Sequence, residues 1–241
     1  MNTLVFTPTW NEADNIERLV REIFSVIPNC DILVVDDLSP DGTGDIVESM
    51  RNEFPHLHIL HREGPRGRGW AGIAGYIWGL DHGARRIIEM DADFSHQPRF
   101  IPDILRALEN ADMVIGSRYV PGGQDLRPGR HRHMISRFAG RYQQWMFKTD
   151  ITDCTSGFRG YRCDVLERIG VRQLTTWGPA ILSDVLYRVI QHRCSIVEVP
   201  IVFPDRERGE STLTWRILVE GFWNVAKLRI RGCPSISESS R

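Results

Sequence analysis

The first half of the chain alternates short β-rich runs with apolar residues at helical spacing, and this alternation constrains the fold more than any other feature. Strands are predicted at Thr3–Thr7, Ile32–Val35, His58–Leu60, Arg86–Met90 and Met113–Ile115. Helices are predicted between them, at 16–27, 46–54, 70–81 and 100–108. The pattern predicts an α/β fold: a mostly parallel sheet with helices on both faces.

The second half is less regular. Helices are predicted at Ile135–Phe147, Ile181–Gln191 and Leu213–Arg229, with a strand at Ser195–Phe203. The last helix is amphipathic, and its apolar side can pack on its own domain or lie at a bilayer surface. Six tryptophans are expected to be packing residues: Trp70, Trp78, Trp145, Trp177, Trp215 and Trp223.

Composition excludes several classes of protein. The 241 residues carry a net charge of -1, without the basic excess of a nucleic-acid-binding protein. The N-terminal residues do not resemble a signal peptide, and no apolar run reaches the ~18 residues of a membrane span. Five cysteines without a C-x-x-C pair predict reduced, mostly buried thiols. We therefore expect a cytoplasmic protein, which touches a membrane only peripherally, on its cytoplasmic face, or through a partner.

Three acidic clusters follow predicted strands, at residues 8–12, 36–42 and 91–96. Ligands of open α/β sheets bind beyond the carboxyl ends of the strands, where these clusters would meet. One cluster alone has a structural interpretation, since Asp41 or Ser39 can cap the second helix. Three gathered clusters repel one another, and a divalent cation would relieve that repulsion.

The pair Asp91-x-Asp93 is the strongest candidate for such a cation. Mg²⁺ and Mn²⁺ prefer hard oxygen ligands, and Mg²⁺ usually takes one or two carboxylates together with phosphate oxygens and water. Two aspartates in a turn after a strand can therefore hold the ion and leave its other face open to a diphosphate. The sequence predicts a Mg²⁺ or Mn²⁺ site here.

Several motifs resemble the signature blocks of inverting family 2 glycosyltransferases. These blocks are Thr7–Glu12, Val35–Thr43 and Met90–Asp93. Further blocks resemble the polyprenol-phosphate (dolichol-phosphate) mannosyltransferase branch of that family: Gly116–Gly123, Asp153–Arg159, Glu198–Phe203 and Arg206. The resemblance runs from Thr3 to Leu213, nearly the whole chain.

The resemblance implies a nucleotide-diphospho-sugar transferase fold of the GT-A type. It implies inverting transfer of a hexose, mannose from GDP-mannose, to a polyprenyl phosphate lipid, with a peripheral membrane contact or a small membrane partner. The expected domain covers residues 1–230, with a nucleotide-sugar half at 1–118 and an acceptor half at 119–230. Residues 231–241 are expected to form a flexible tail.

The resemblance also assigns roles to single residues. Those expected to bind the nucleotide sugar or its acceptor are Pro8, Trp10, Glu12, Asp36, Asp37, Ala92 and Arg132. The metal ligands would be Asp91, Asp93 and Ser95, and the catalytic residues Asp93, Arg118 and Arg206. Independently of the resemblance, Asp184 is a further catalytic candidate, because its predicted helix lies beside the expected acceptor face. Arg132 is matched to an acceptor-loop arginine, although its neighbours blur the alignment. Asp184 would be a base for an alcohol acceptor, and its structural alternative is an exposed helix carboxylate.

Two departures from the family pattern bear on the substrate. Ser95 stands where the family often has glutamine, and Thr212 stands where it commonly has lysine. The threonine at 212 removes the lysine ammonium that would face a phosphate, and Arg208 is a candidate substitute for that charge. A different acceptor and a non-catalytic nucleotide-binding subunit therefore remain alternatives. A third alternative is a dinucleotide-binding oxidoreductase, because Gly67–Gly72 matches G-x-G-x-x-G, although a polar stretch separates it from its strand. Arg66 and Arg68 fit a mobile loop over phosphates equally well.

Overall fold

A seven-stranded sheet forms the centre of the molecule, as seen in a computed structural model. The structure describes residues 1–205 and 215–232, apart from the side chains of residues 130–132, 215–218 and 231. The strands are β1 Thr3–Thr9, β2 Asp31–Asp36, β3 Leu57–His61, β4 Arg86–Glu89, β5 Met113–Ser117, β6 Gln124–Asp125, β7 Arg159–Arg162, β8 Ile196–Pro200 and β9 Val202–Phe203.

The strand order is β3-β2-β1-β4-β7-β5-β8, and β6 pairs with β9 in a separate two-stranded sheet. Within the large sheet, β7 is antiparallel to both of its neighbours, and the other pairs are parallel. The predicted α/β class with a mostly parallel sheet is therefore confirmed.

Helices cover both faces of the sheet, as predicted. They are α1 Ala13–Val26, α2 Thr43–Met50, α3 Arg68–Asp81, α4 Ile101–Ala107, α5 Arg130–Phe147, α6 Cys163–Arg168, α7 Ile181–Gln191 and α8 Trp215–Arg231. Successive side chains of a strand point to opposite faces. Leu4 and Phe6 of β1 accordingly join a core with α3, α6 and α7, while Val5 joins a second core with α1, α2 and α4.

Helix α3 lies unusually close to the sheet because of two glycines. A Cβ at Gly75 would come within 2.5 Å of the Phe6 ring, and one at Gly79 within 2.6 Å of Ile87. These glycines bring the first turn of α3 down beside the end of β4, where the acidic cluster begins.

The second half of the chain departs from the predicted elements. The predicted strand Ser195–Phe203 is two strands, β8 and β9, which belong to different sheets. Strand β7 was not predicted, because its sequence RGYR lacks the apolar run of a central strand. Its Arg159 is fully buried, and the guanidinium donates to the carbonyl oxygens of Ser156, Cys154 and Leu182. A polar residue whose donors are bonded in this way can thus occupy a central strand.

The thiol and tryptophan predictions have different outcomes. Cys30, Cys154 and Cys163 are buried free thiols, as expected, and burial raises the pKa of each to about 12. Three tryptophans expected to be packing residues are instead exposed, by 74% at Trp145, 57% at Trp177 and 61% at Trp223. Periodicity places a residue on a helix face, but it does not show whether that face is covered.

Candidate active site

Three acidic clusters meet at one edge of the sheet. Strands β2, β1 and β4 are neighbours and run parallel, so their carboxyl ends point the same way. Thr9 of β1 lies beside Asp36 of β2, and Phe6 of β1 lies beside Glu89 of β4. The turns after these strands each contain a non-glycine residue in the left-handed region: Asn11 at φ 59°, Leu38 at φ 57° and Phe94 at φ 61°. Such backbone conformations cost energy and concentrate at functional sites.

Asp36 and Asp37 organise the turn after β2. Asp36 is buried, and its carboxylate accepts hydrogen bonds from the Thr9 hydroxyl at 3.0 Å and the Ser39 amide at 2.9 Å. Asp37 accepts from the Arg62 guanidinium at 2.7 Å and from the amide of Gly67 at 2.9 Å. Asp37 therefore ties the loop between β3 and α3 to this edge. The predicted contact of both aspartates with a nucleoside stays a prediction.

The turn after β1 holds the other residues expected at the nucleotide. Trp10 is 37% exposed, and the Arg66 guanidinium lies 4.1 Å from its ring centroid. Glu12 accepts a hydrogen bond from the Asn15 side chain at 2.7 Å, and its amide donates to the Thr43 hydroxyl at 2.9 Å. Trp10 is thus an accessible aromatic surface at the edge where a base or ribose could stack.

Neither Asp41 nor Ser39 is the N-cap residue of α2, which is Gly42, but Asp41 bonds the start of that helix from the preceding position. Its carboxylate accepts from the amide of Thr43, the first residue of α2, at 3.0 Å, and from the amide of Ala13, the first residue of α1, at 2.9 Å. Partial burial raises the pKa of Asp41, but these hydrogen bonds and that of the Thr43 hydroxyl hold the pKa below its usual value. Asp41 is therefore a structural residue that joins two helix starts.

The Asp91-x-Asp93 turn is stabilised by hydrogen bonds among residues 91–96. The Asp93 carboxylate accepts from the Ser95 hydroxyl at 2.6 Å and the Ser95 amide at 3.1 Å. The amide of Asp91 donates to His96 Nδ1 at 2.9 Å, so His96 is an acceptor there and carries its proton on Nε2. Burial lowers the pKa of His96, and the charges of Asp91 and Asp93 oppose that effect. The sequence did not single out His96, because its spacing to other histidines carries no signal.

A buried charge network lies directly behind the turn. Glu89, the last residue of β4, is fully buried, and accepts from Tyr76 and from the Arg68 guanidinium at 3.2 Å. Arg68 also donates to Asp91. Burial raises the pKa of Glu89, while the charge of Arg68 opposes that rise. Arg68 is thus a cation placed between two acids. The sequence placed Arg68 in a mobile loop over phosphates, whereas it did not single out Glu89.

The donor chemistry of this turn fits a divalent cation. Asp91 is partly exposed, and its carboxylate pairs with the Arg68 guanidinium. This pairing shows that the negative charge at the turn attracts a positive group. Among the described residues, no group of three or more His, Cys, Asp or Glu side chains forms a complete metal cage. An ion held by one or two carboxylates needs no such cage, since phosphate and water supply the remaining oxygens.

Arg118 follows β5 and is buried beside Asp153. Its Nε and Nη2 atoms donate to the two carboxylate oxygens at 2.7 and 2.6 Å, and Nη2 also donates to the Thr155 hydroxyl at 2.7 Å. Burial raises the pKa of Asp153, but the hydrogen bonds and charge of Arg118 lower it further, so it lies below its usual value. The Phe203 ring lies 5.1 Å from Arg118 and 5.4 Å from His96, which places this pair close to the acidic turn.

Asp184 is buried in α7, so the interpretation as an exposed helix carboxylate is wrong. Its oxygens accept from Arg188 at 2.9 Å and from the Thr176 hydroxyl at 2.5 Å. The sequence pattern suggested exposure, but α7 is covered along most of its length. The role of Asp184 as a base stays a prediction.

Several predicted residues lie outside the described part of the chain. These are Arg206, Arg208, Thr212 and the side chain of Arg132, together with most of the predicted tail. Pro8 and Ala92 lie at the acidic edge, half-buried and buried respectively.

Comparison with known proteins identifies the family. The family profile described as "Glycosyl transferase family 2" matches residues 4–170, which is more than half of the chain. The chain belongs to glycosyl transferase family 2. An undecaprenyl-phosphate mannosyltransferase of Micrococcus luteus is 41% identical over 94% of this chain and 93% of its own length. A polyprenol monophosphomannose synthase of Mycolicibacterium smegmatis is 40% identical over 95% of this chain and 88% of its own.

Solved structures show the same fold. A glucosyl-3-phosphoglycerate synthase from Mycobacterium tuberculosis, in complex with phosphoglyceric acid, aligns over 96% of this chain and 80% of its own, with a TM-score of 0.67 and 17% identity. A mannosyltransferase from Pyrobaculum calidifontis, in complex with GDP-Man and Mn²⁺, covers 95% of this chain and 64% of its own, with a TM-score of 0.64 and 17% identity. The predicted GT-A type fold is confirmed.

These matches decide between the predicted classes. The family 2 glycosyltransferase and its polyprenol-phosphate mannosyltransferase branch are confirmed. Family membership removes the oxidoreductase alternative, and Gly69 is instead packed against residues 176–178. Among the helices of the described residues, none is both long and apolar enough to cross a bilayer.

Proposed function

We propose that this family 2 enzyme transfers a mannosyl group from GDP-mannose to a polyprenyl phosphate, with inversion at the anomeric carbon. The observation that carries the proposal is the match, along almost the whole chain, to two relatives named for polyprenyl-phosphate mannosyl transfer. The acidic edge of the sheet is the place where the donor would bind.

The donor would lie across the turns after β1, β2 and β4. Trp10 offers an aromatic face to the nucleoside, and the loop tied down by Asp37 carries Arg62 and Arg66 towards it. Asp91 and Asp93 would hold Mg²⁺ or Mn²⁺, with Ser95 orienting Asp93. The ion, when bound, would neutralise the diphosphate and stabilise the leaving nucleotide.

Arg68 balances charge in this site. Without a cation its guanidinium bonds both Glu89 and Asp91, so the acids do not face one another uncompensated. Glu89 stays buried behind the turn and keeps Arg68 near the diphosphate position. The chain thus supplies one fixed cation of its own close to the place where an ion would bind.

The acceptor phosphate would bind on the Arg118 side. Arg118 is held rigidly by Asp153 and Thr155, and guanidinium groups suit phosphate oxygens. A phosphate oxygen is already a nucleophile at neutral pH, so the reaction requires no strong base. Under this proposal Asp184, whose oxygens are bonded by Arg188 and Thr176, supports the acceptor half structurally.

Replacing Asp93 tests the metal assignment. Asp93→Asn keeps an oxygen that accepts from Ser95 but removes the charge that a cation needs. We expect turnover with GDP-mannose, Mn²⁺ and polyprenyl phosphate to fall at least about 100-fold, while the melting temperature stays within a few degrees. Asp103→Asn, at an exposed carboxylate paired with Arg106, is the matched control and should keep full activity. Full turnover of Asp93→Asn in the presence of EDTA would remove the metal from the proposal.

A donor-by-acceptor screen tests the substrates. Purified protein is incubated with radiolabelled GDP-mannose, GDP-glucose or UDP-glucose, and with polyprenyl phosphate or a free polyprenol, in Mn²⁺ or Mg²⁺. Label should enter the lipid phase with GDP-mannose and the phosphorylated acceptor. Nucleotide binding without transfer to any acceptor would instead favour a non-catalytic subunit.

A further inference from the structure

Two helices of the acceptor half present large apolar side chains to solvent at the same spacing. On α5 and on α8 the exposed residues recur at i, i+4 and i+11, which places each set on one side of its helix. Their exposed fractions run from 55% to 80%. The six residues are Met134, Phe138, Trp145, Val219, Trp223 and Ile230.

The two stripes adjoin each other. The Tyr142 hydroxyl of α5 donates to the carbonyl oxygen of Phe222 in α8 at 3.2 Å. The Phe222 ring lies 4.9 Å from the Tyr142 ring and 5.6 Å from that of Phe138, centroid to centroid. Because Phe138 is itself 64% exposed, it connects the two stripes. We call these six residues and the side chains between them the α5–α8 surface.

Among the described side chains of α5, α8 and the residues just after α5, the charged ones are positive apart from Glu220 and the exposed Asp150. Exposed basic residues flank both stripes: Arg137, Arg141 and Lys148 at α5, and Lys227 and Arg229 on α8. The sequence of α5 contains no acidic residue, and that of α8 contains only Glu220. The Lys227 ammonium lies 5.8 Å from the Trp223 ring centroid. Since the whole chain has a net charge of -1, this is a local excess.

Tryptophan and other apolar side chains flanked by Lys and Arg fit the boundary between lipid headgroups and acyl chains. Anionic headgroups complement the basic residues, and each Lys or Arg near such a surface adds to the attraction. A second copy of the chain fits poorly, because a two-fold contact would set the same basic residues against one another.

The α5–α8 surface begins next to the proposed acceptor site. The Arg137 guanidinium lies 5.6 Å from the Tyr119 ring centroid, and Tyr119 directly follows Arg118. A bilayer that touches this surface would therefore bring a lipid phosphate towards Arg118. We propose that the α5–α8 surface docks on an anionic lipid bilayer and delivers the acceptor from it; the delivery step rests on the proposed function.

Vesicle sedimentation tests the docking. Purified protein is mixed with vesicles of phosphatidylcholine alone or with roughly one-third phosphatidylglycerol, at low and high salt. We expect binding to the anionic vesicles that weakens with salt. The double variant Trp145→Ser/Trp223→Ser should bind about tenfold more weakly. Arg141→Glu/Lys227→Glu should lose binding to anionic vesicles specifically.

The matched control is Val197→Ser, which removes an exposed apolar side chain from β8 and should bind vesicles like the parent. Equal binding of the tryptophan variant and the parent would overturn the docking proposal. A second outcome would also overturn it: the parent protein does not bind anionic vesicles but forms a dimer, and the tryptophan variant does not form that dimer. The α5–α8 surface would then contact a second copy of the chain.

Transfer assays separate the docking proposal from the proposed function. With a short, water-soluble isoprenyl phosphate, the tryptophan variant should turn over like the parent, whereas with long-chain acceptor in anionic vesicles its rate should fall about tenfold. Equal rates of the parent and the tryptophan variant on vesicles would overturn delivery. Vesicle binding that depends on the tryptophans, together with no transfer to either acceptor, would support docking and contradict the proposed function instead.

Discussion

The buried pair Arg118–Asp153 shows how single residues shape the region where the acceptor is proposed to bind. The exposed fraction of the side chain is 5% for Arg118 and 0% for Asp153, and two hydrogen bonds join the guanidinium to the carboxylate. A buried ion pair contributes little over apolar packing, but removing one partner leaves an uncompensated charge. Asp153 therefore acts mainly by holding the Arg118 guanidinium in place.

Neutralising Asp153 should be costly. We expect Asp153→Asn to lower the free energy of unfolding by about 3–5 kcal/mol at pH 7. Since the pKa of Asp153 is depressed in the folded protein, its contribution is present above the unfolded pKa and is lost as pH falls through the folded pKa. The difference in the free energy of unfolding between parent and variant should therefore become smaller below about pH 4. Urea unfolding at pH 7 and at about pH 3.5 measures this difference.

The control for Asp153 is Asp103→Asn, which breaks an exposed pair with Arg106. Exposed pairs contribute about 0–1 kcal/mol, so this variant should unfold nearly as the parent does at both pH values. If Asp153→Asn lowers the free energy of unfolding no more than the control does, the Arg118–Asp153 pair does not stabilise this part of the protein.

Among single residues, the sequence predicted the acidic residues of the site better than the ion pairs that those residues form. Asp37, Asp91 and Asp93 were found because they follow strands in recognisable motifs. Glu89 and its pairing with Arg68 were missed because they depend on a contact between α3 and β4, which no local pattern encodes. Local spacing places residues on elements, whereas charge compensation is decided by tertiary packing.

At the scale of elements, the close approach of α3 to β1 and β4 positions the buried charge network. Gly75 makes this approach possible, since its missing Cβ leaves room for the Phe6 ring. The alternation of strands and helices predicted α1 to α4 and β1 to β5. It missed β7, because an antiparallel strand with a buried arginine has neither a helical nor an alternating apolar pattern.

Gly75→Ala tests this packing. Overpacking a filled core costs about 1–3 kcal/mol, so we expect a loss of that size despite the better helix propensity of alanine. Gly221→Ala in α8 is the matched control, since an added Cβ there would have no described atom within 4 Å other than those of its chain neighbours and its own helix backbone. Alanine should stabilise that helix by about 0.5–1 kcal/mol. Thermal unfolding of both variants gives the comparison; equal stabilisation by both would show that α3 does not depend on this contact.

At the scale of the whole molecule, one sheet brings together residues that are far apart in sequence. Under the proposed function, the donor would bind at the turns after β1, β2 and β4, and the acceptor beside Arg118 and Asp153. The class of sheet followed from the sequence, but the insertion of β7 between β4 and β5 did not, because strand order depends on long-range pairing. The division into halves at 118 and 119 remains a prediction.

Under the proposed function, Asp91 and Asp93 hold a divalent cation that positions the donor diphosphate. Anomalous diffraction from crystals grown with Mn²⁺ and GDP-mannose would locate that cation. We expect a manganese peak beside both carboxylates, in contact with diphosphate oxygens and with Arg68 drawn away from Asp91. Well-ordered nucleotide with no manganese at this turn would contradict it.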